Sequence, residues 1–188
     1  MDVLEAIRNR RSIRKYKAAP IDDATLRKVL EAAQWAPTWA NTQCGRFIVV
    51  KDEKIKNALA DTMAAPTSPG GNALRTAPVV IVACAELGKS GFRRNPPTEP
   101  ATDKGDSWYM FDVALAMENV ALAAHGLGLG GVHLGLFDAK KAAAAVQLPV
   151  NYAVVEMMPL GYPDEAKTSV RKELNEIISV DRFGNAYK

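Results

Sequence analysis

Two helical patterns precede the first stretch of this chain that can form a strand, and that order rules out a regular alternation of strands and helices. Asp2 can cap a first helix, with Glu5 reaching back as in a capping box and Val3, Leu4 and Ile7 on one face. Beyond Pro20, Asp22 caps a second pattern in which Leu26, Val29, Leu30 and Ala33 repeat at helical spacing. That helix must stop near Trp35-Ala36, because Pro37 disfavours helix in the residue before it. Phe47-Ile48-Val49-Val50 and Val79-Val80-Ile81-Val82 read as short buried strands, with a helix over 54–63 between them. Ser107 opens a long helix whose stripe is Val113, Met117, Val120, Ala121 and Ala124, ending at Gly126. A Val132-His133-Leu134 segment, a helix over 138–146 and a strand over 152–155 follow. The expected fold class is α+β, with helices around a central mixed sheet.

The 188 residues are enough for one domain, 1–188, with a core of its own. Two segments stand apart within it. Residues 86–106 are rich in proline, glycine and charge, as in Phe92-Arg93-Arg94-Asn95-Pro96-Pro97, and read as a lid loop. The tail over 163–188 has little apolar content before Ile177-Ile178-Val180 and reads as an arm that docks on a partner. The apolar fraction of 48% and charged fraction of 24% are ordinary for a soluble protein. A net charge of +3 is too small to make nucleic acid or an anionic membrane the main partner. The most apolar stretch, 113–137, is broken by Glu118, Asn119, His125 and several glycines, so it is not a membrane span. Two cysteines and the lack of a signal-like apolar start suit a cytoplasmic protein.

Three segments carry polar groups in patterns that suggest a ligand. Arg10, Arg11, Ser12, Arg14 and Lys15 crowd together directly after the first helix. Guanidinium forks match phosphate oxygens two at a time, although the same cations also suit a solvated helix end. Trp35-Ala36-Pro37-Thr38-Trp39-Ala40-Asn41-Thr42-Gln43 lies between the second helix and the first strand. Its Asn41 and Gln43 offer paired donors and acceptors for the edge of a heteroaromatic ring, or the segment is simply a turn in which Thr38 and Asn41 bond their own backbone. Gly126-Leu127-Gly128-Leu129-Gly130-Gly131 satisfies a dinucleotide fingerprint by spelling only: it follows a helix and leads into a strand, the reverse of what that fingerprint requires.

Taken in order, these segments resemble the FMN-dependent nitroreductase family across essentially the whole chain. The resemblance rests on the R-R-S-x-R segment, the A-P-T-x-x-N-x-Q segment, the Gly-rich segment after a long helix, the Leu160-Gly161-Tyr162-Pro163 turn and Arg171 beyond it. It implies a nitroreductase-like fold whose mixed sheet is mostly antiparallel, in an intertwined homodimer with an exchanged C-terminal tail and FMN in clefts at the interface. Arg10, Ser12 and Arg14, with Arg171, would hold the phosphate and ribityl chain, and Arg11 would face the pyrimidine side. Pro37, Thr38, Trp39 and Asn41, with Gln43 in the same segment, would line the isoalloxazine from the other subunit. Leu134-Gly135-Leu136 would lie against the ring with a backbone N–H aimed at flavin N5. Trp108 and Tyr109 are candidates for substrate contacts above the ring, or core residues.

The implied activity is an NAD(P)H-dependent FMN oxidoreductase, passing hydride through N5 in a ping-pong cycle to a nitroaromatic, quinone or related acceptor. A flavin-storage or redox-partner protein, and a dehalogenating or flavin-fragmenting relative, stand as alternatives. No side chain is expected to act as nucleophile and no metal is expected, because the cofactor carries the chemistry. His125 and His133 read as structural, Cys84 as packing, and Asp112 and Glu118 fall on different helix faces at a spacing of six. The family's common Gln-Pro-Trp is here Gln43-Cys44-Gly45, which removes an aromatic from the local packing.

Overall fold

A computed structural model describes residues 2–93 and 99–187. The expected caps form. Asp2 accepts from the amides of Leu4 and Glu5 at the start of α1 (Val3–Asn9), and Asp22 accepts from Thr25 at the start of α2 (Asp23–Gln34). β1 (Gly45–Val50), α3 (Glu53–Asp61) and β2 (Val79–Glu86) lie where the apolar runs predict them. α5 (Trp108–Gly126) is the long helix, α6 (Ala139–Ala145) is capped by Asp138, and β4 (Tyr152–Gly161) outruns its apolar start. β3 is only Gly130–Gly131, just before the expected segment; Leu134 joins β4 through an isolated bridge to Met157. A single turn, α7 (Leu174–Ile177), lies in the tail.

Besides that tail turn, one helix among the described residues has no counterpart in the sequence reading. α4 (Pro69–Thr76) starts on Ser68, whose hydroxyl accepts from the Gly71 amide, with Pro69 at its first position. The Gly70-Gly71 pair hides it, because glycine is a poor helix former. Gly71 is required nonetheless: a Cβ there would lie 2.0 Å from the carbonyl oxygen of Pro66.

The sheet runs β1-β2-β4-β3, and every strand pairing in it is antiparallel. The parallel component expected of a mixed sheet reduces to one bridge, Ser12 with Gly131. β2 is central and buried along nearly its whole length. Its side chains alternate between two cores. Val79, Ile81, Ala83 and Ala85 face α2 and α5, with Leu26, Val29, Val113, Met117 and Val120. Val80, Val82 and Cys84 face the other layer, with Leu59, Leu74, Leu134 and Ala142. Helices on both faces explain why this strand reads as an unbroken apolar run although its neighbours are antiparallel. Among the described residues no helix is long and apolar enough to cross a membrane.

Residues 94–98 of the expected lid lie outside the described residues. The limbs on either side approach each other: Phe92 bridges to Pro100, and the Ala101 amide donates to Gly91.

Candidate functional site

The basic segment is fastened to the sheet rather than left as a solvated helix end. The Ile13 amide donates to the Gly131 carbonyl, Ser12 bridges to Gly131, and Ile13 is buried. Gly130 is needed for that approach, since a Cβ would meet Ile13 Cγ1 at 2.6 Å. Further on, the Tyr16 hydroxyl donates to the carbonyl of Ile13 at 2.5 Å and lies 3.1 Å from that of Pro159. Burial and the nearby Glu165 carboxylate drive the Tyr16 pKa far above its ordinary value, so the hydroxyl keeps its proton as a donor.

This anchoring leaves the polar groups around a cavity of about 260 Å³ lined by Arg10, Arg11, Leu129, Gly130, Gly131, Pro163 and Glu165 among others. Arg10 pairs with Glu118 of α5 at 3.6 Å. Arg11 donates to the carbonyls of Arg8 and Arg10, while its Nε is buried with no partner among the described residues. The Arg14 amide donates to Glu165 Oε1 at 2.6 Å. Two guanidinium groups, Arg10 and Arg11, with an unpartnered buried N–H suit a multiply charged oxyanion; Ser12 and Arg14 flank the cavity in sequence without lining it. Arg171 is not brought to it within one protomer: it is exposed and donates only to its neighbour's carbonyl at Val170.

The second segment is held by a residue that the sequence reading passed over. Asp112 of α5 is 1% exposed and accepts from the Trp39 amide at 2.8 Å, with Thr42 Oγ1 at 3.4 Å and Cys44 Sγ at 3.5 Å. A lone carboxylate beside Val113 in an otherwise apolar stripe was the available signal. The loop it holds is costly, because Ala40, Asn41 and Gln43 all adopt positive φ, at 46°, 55° and 50°. Thr38 Oγ1 accepts from the Gln43 amide, and Gln43 Nε2 donates to Asn41 Oδ1. Thr38 therefore closes a turn, while Asn41 and Gln43 remain exposed with Pro37, and Trp39 is half-buried. Burial, followed by the Asp112 charge, pushes the Cys44 thiol up to about 11, and burial does the same for Cys84. Both are thiols at neutral pH, in keeping with packing.

The stretch 134–136, which the resemblance lays against the ring, is a turn on open ground. Leu134 is buried and exchanges both backbone hydrogen bonds with Met157, whereas Gly135 and Leu136 are exposed. The Leu136 carbonyl accepts from Ala64, but among the described residues the Gly135 amide has no acceptor. Trp108 and Tyr109 lie elsewhere. The Trp108 indole donates to Thr102 at 2.8 Å and meets Phe111 edge-on, and Tyr109 packs on the core between sheet and α5.

His133, expected to be structural, lies between two carboxylates. Its Nδ1 lies 2.9 Å from Glu156 and its Nε2 3.5 Å from Glu118. Asp112 and Glu118 do point different ways, as their spacing requires: one to the 37–44 loop, the other to Arg10 and His133.

An antiparallel sheet covered by helices on both faces, with a basic segment clamped to one end and a strained polar loop held by α5, defines an α+β protein. The comparisons give that class its family. The profile described as the Nitroreductase family matches residues 7–162. A crystal structure of a nitroreductase family protein from Clostridium novyi is 30% identical, with a TM-score of 0.77, covering 100% of this chain and 98% of that one. An FMN-dependent nitroreductase from Clostridium difficile is 27% identical with a TM-score of 0.77, covering 96% and 99%. An NADPH-flavin oxidoreductase of Vibrio harveyi is 30% identical over 169 residues, 87% of this chain and 67% of that protein. The chain belongs to the nitroreductase family and has its fold.

Proposed function

We propose that the protein is an NAD(P)H-dependent FMN oxidoreductase that works as a homodimer. One observation supports it above the others: the arginine cradle and the open Gly135 amide are joined by a side-chain chain, Arg10–Glu118–His133, two residues before Gly135. An anion held at one end of that chain and an acceptor atom met at the other suit the phosphate and ring of a flavin mononucleotide. Relatives named for FMN and for NADPH-flavin chemistry agree with this reading.

Bound FMN would supply hydride chemistry at N5, taking a hydride from NAD(P)H and passing it to an electron-poor acceptor such as a nitroaromatic or quinone. The protein binds and orients. Arg10, Ser12 and Arg14 would hold the phosphate and ribityl chain, Arg11 would face the pyrimidine edge, and the guanidinium charges would favour an anionic reduced ring. The Gly135 N–H would serve as the donor to the ring without a titrating side chain. Pro37, Thr38, Trp39, Asn41 and Gln43 reach the ring from the second subunit, because in one protomer Asp112 holds their loop on a different side of α5 from Arg10. Arg171 joins the site through the exposed arm, exchanged between subunits.

The test begins with colour. Purified protein should carry flavin absorbance and release FMN, not FAD, on heating. Rapid mixing with NADH or NADPH should bleach the flavin, and a nitroaromatic or quinone should restore it. A colourless protein that also fails to bind added FMN refutes the reading. Bound flavin that neither nucleotide reduces would favour storage instead.

A further inference from the structure

That reading uses the groups around His133 only as the link between its two halves and leaves open what they do for the flavin. His133 stands between the glycine segment that anchors Ile13 and the turn that carries Gly135. Glu156 reaches it from β4 at 2.9 Å and Glu118 from α5 at 3.5 Å. The second distance is at the edge of hydrogen-bond range, so that contact is an ion pair rather than a well-formed hydrogen bond. The other oxygen of Glu118 lies 3.6 Å from Arg10 Nε, and the Arg10 side chain is only 20% exposed. These two carboxylates are the charged groups that act on the imidazole. Contact with Glu118 and then Glu156 raises its pKa to about 9, against the opposing effect of burial.

The charges then balance. Two cations, Arg10 and the imidazolium, face two carboxylates, Glu118 and Glu156. Loss of the imidazole proton would leave net negative charge beside the phosphate cradle and loosen the grip on Glu118, hence on Arg10. We propose that Glu118 and the His133 imidazolium are positioning residues for the flavin: Glu118 aims Arg10 at the phosphate, and the imidazolium keeps the two carboxylates from repelling it. This rests on the FMN reading above. Its consequence is that flavin retention depends on a proton held by a side chain that never touches the flavin.

The experiment is FMN titration by flavin fluorescence from about pH 7 to pH 10 for wild type, His133→Gln and His133→Lys. Wild-type affinity should begin to fall near pH 9 and be down about fivefold at pH 10. His133→Gln should bind weakly with no inflection there, and His133→Lys should bind tightly with none. Ionisation of the flavin ring itself is common to all three proteins and cancels in the comparison. Should His133→Gln fail to fold, the histidine NMR titration of wild type replaces it, with His125 assigned through His125→Gln. Coupling is reciprocal, so FMN must raise the His133 pKa by about one unit. Superimposable profiles, or a His133 pKa indifferent to FMN, overturn the positioning role and leave the flavin reading standing. Absence of FMN binding at every pH overturns the flavin reading itself.

Discussion

The basic segment and the C-terminal arm are both rich in charge, and the fold treats them oppositely. Residues 10–16 are clamped: Ile13 is buried against Gly130, Lys17 donates to Tyr162, Tyr16 bridges to Pro163, and Glu165 accepts from Arg14. From Ala166 onward every described residue is exposed, including Val170, Leu174, Ile177 and Phe183. The difference lies in what each can bury. The basic segment alternates its cations with Ile13 and Tyr16, which enter the protein and offset the cost of ordering the chain. The arm has apolar side chains and no surface of its own protomer to receive them. A charged segment is thus a site when its apolar neighbours anchor it, and an arm when they do not.

Gly130→Val strikes the clamp directly, because its side chain would occupy the space of Ile13 and Pro163. It should lower stability by about 3 kcal/mol and the melting temperature by roughly 10 °C; an unchanged melt would mean the segment is not held there. Asp112→Ala should cost about 2.5 kcal/mol, since it removes a charged acceptor and leaves the Trp39 amide and the Thr42 hydroxyl without one. Chemical denaturation measures that loss, and a cost near zero would show that the strained loop supports itself. Arg14→Ala and Arg171→Ala should each weaken FMN retention by about 2 kcal/mol. Equal effects at a clamped and an exposed arginine would support an exchanged arm, and an unaffected flavin content in Arg171→Ala would remove the arm from the site. The smallest effect belongs to Phe183→Ser, which should change protomer stability by less than about 0.5 kcal/mol while shifting the sedimentation profile toward monomer. A sedimentation profile matching wild type would detach the arm from assembly.

Much of the local architecture was legible in the chain. Asp2 and Asp22 cap because a short carboxylate reaches the free amides of a first turn, and Pro37 ends α2 for steric reasons that no tertiary contact can reverse. The apolar runs at 47–50 and 79–82 became strands of a two-faced core. α4 was hidden because Gly70 and Gly71 are chosen for close packing, at the expense of helix propensity. Asp112 was legible only as an anomaly in an apolar stripe. Its partners lie about seventy residues earlier, and no periodicity points across that distance.

The sequence by itself determined where helices begin and end, which runs must be buried and which three segments carry the polar chemistry, since each depends on forces acting within a few residues. Only the tertiary structure decided the strand order β1-β2-β4-β3, that the arginines are anchored through Gly130, and that Glu118 ties Arg10 to His133. Those outcomes depend on packing and charge between residues far apart in the chain, where separation in sequence carries no record of separation in space.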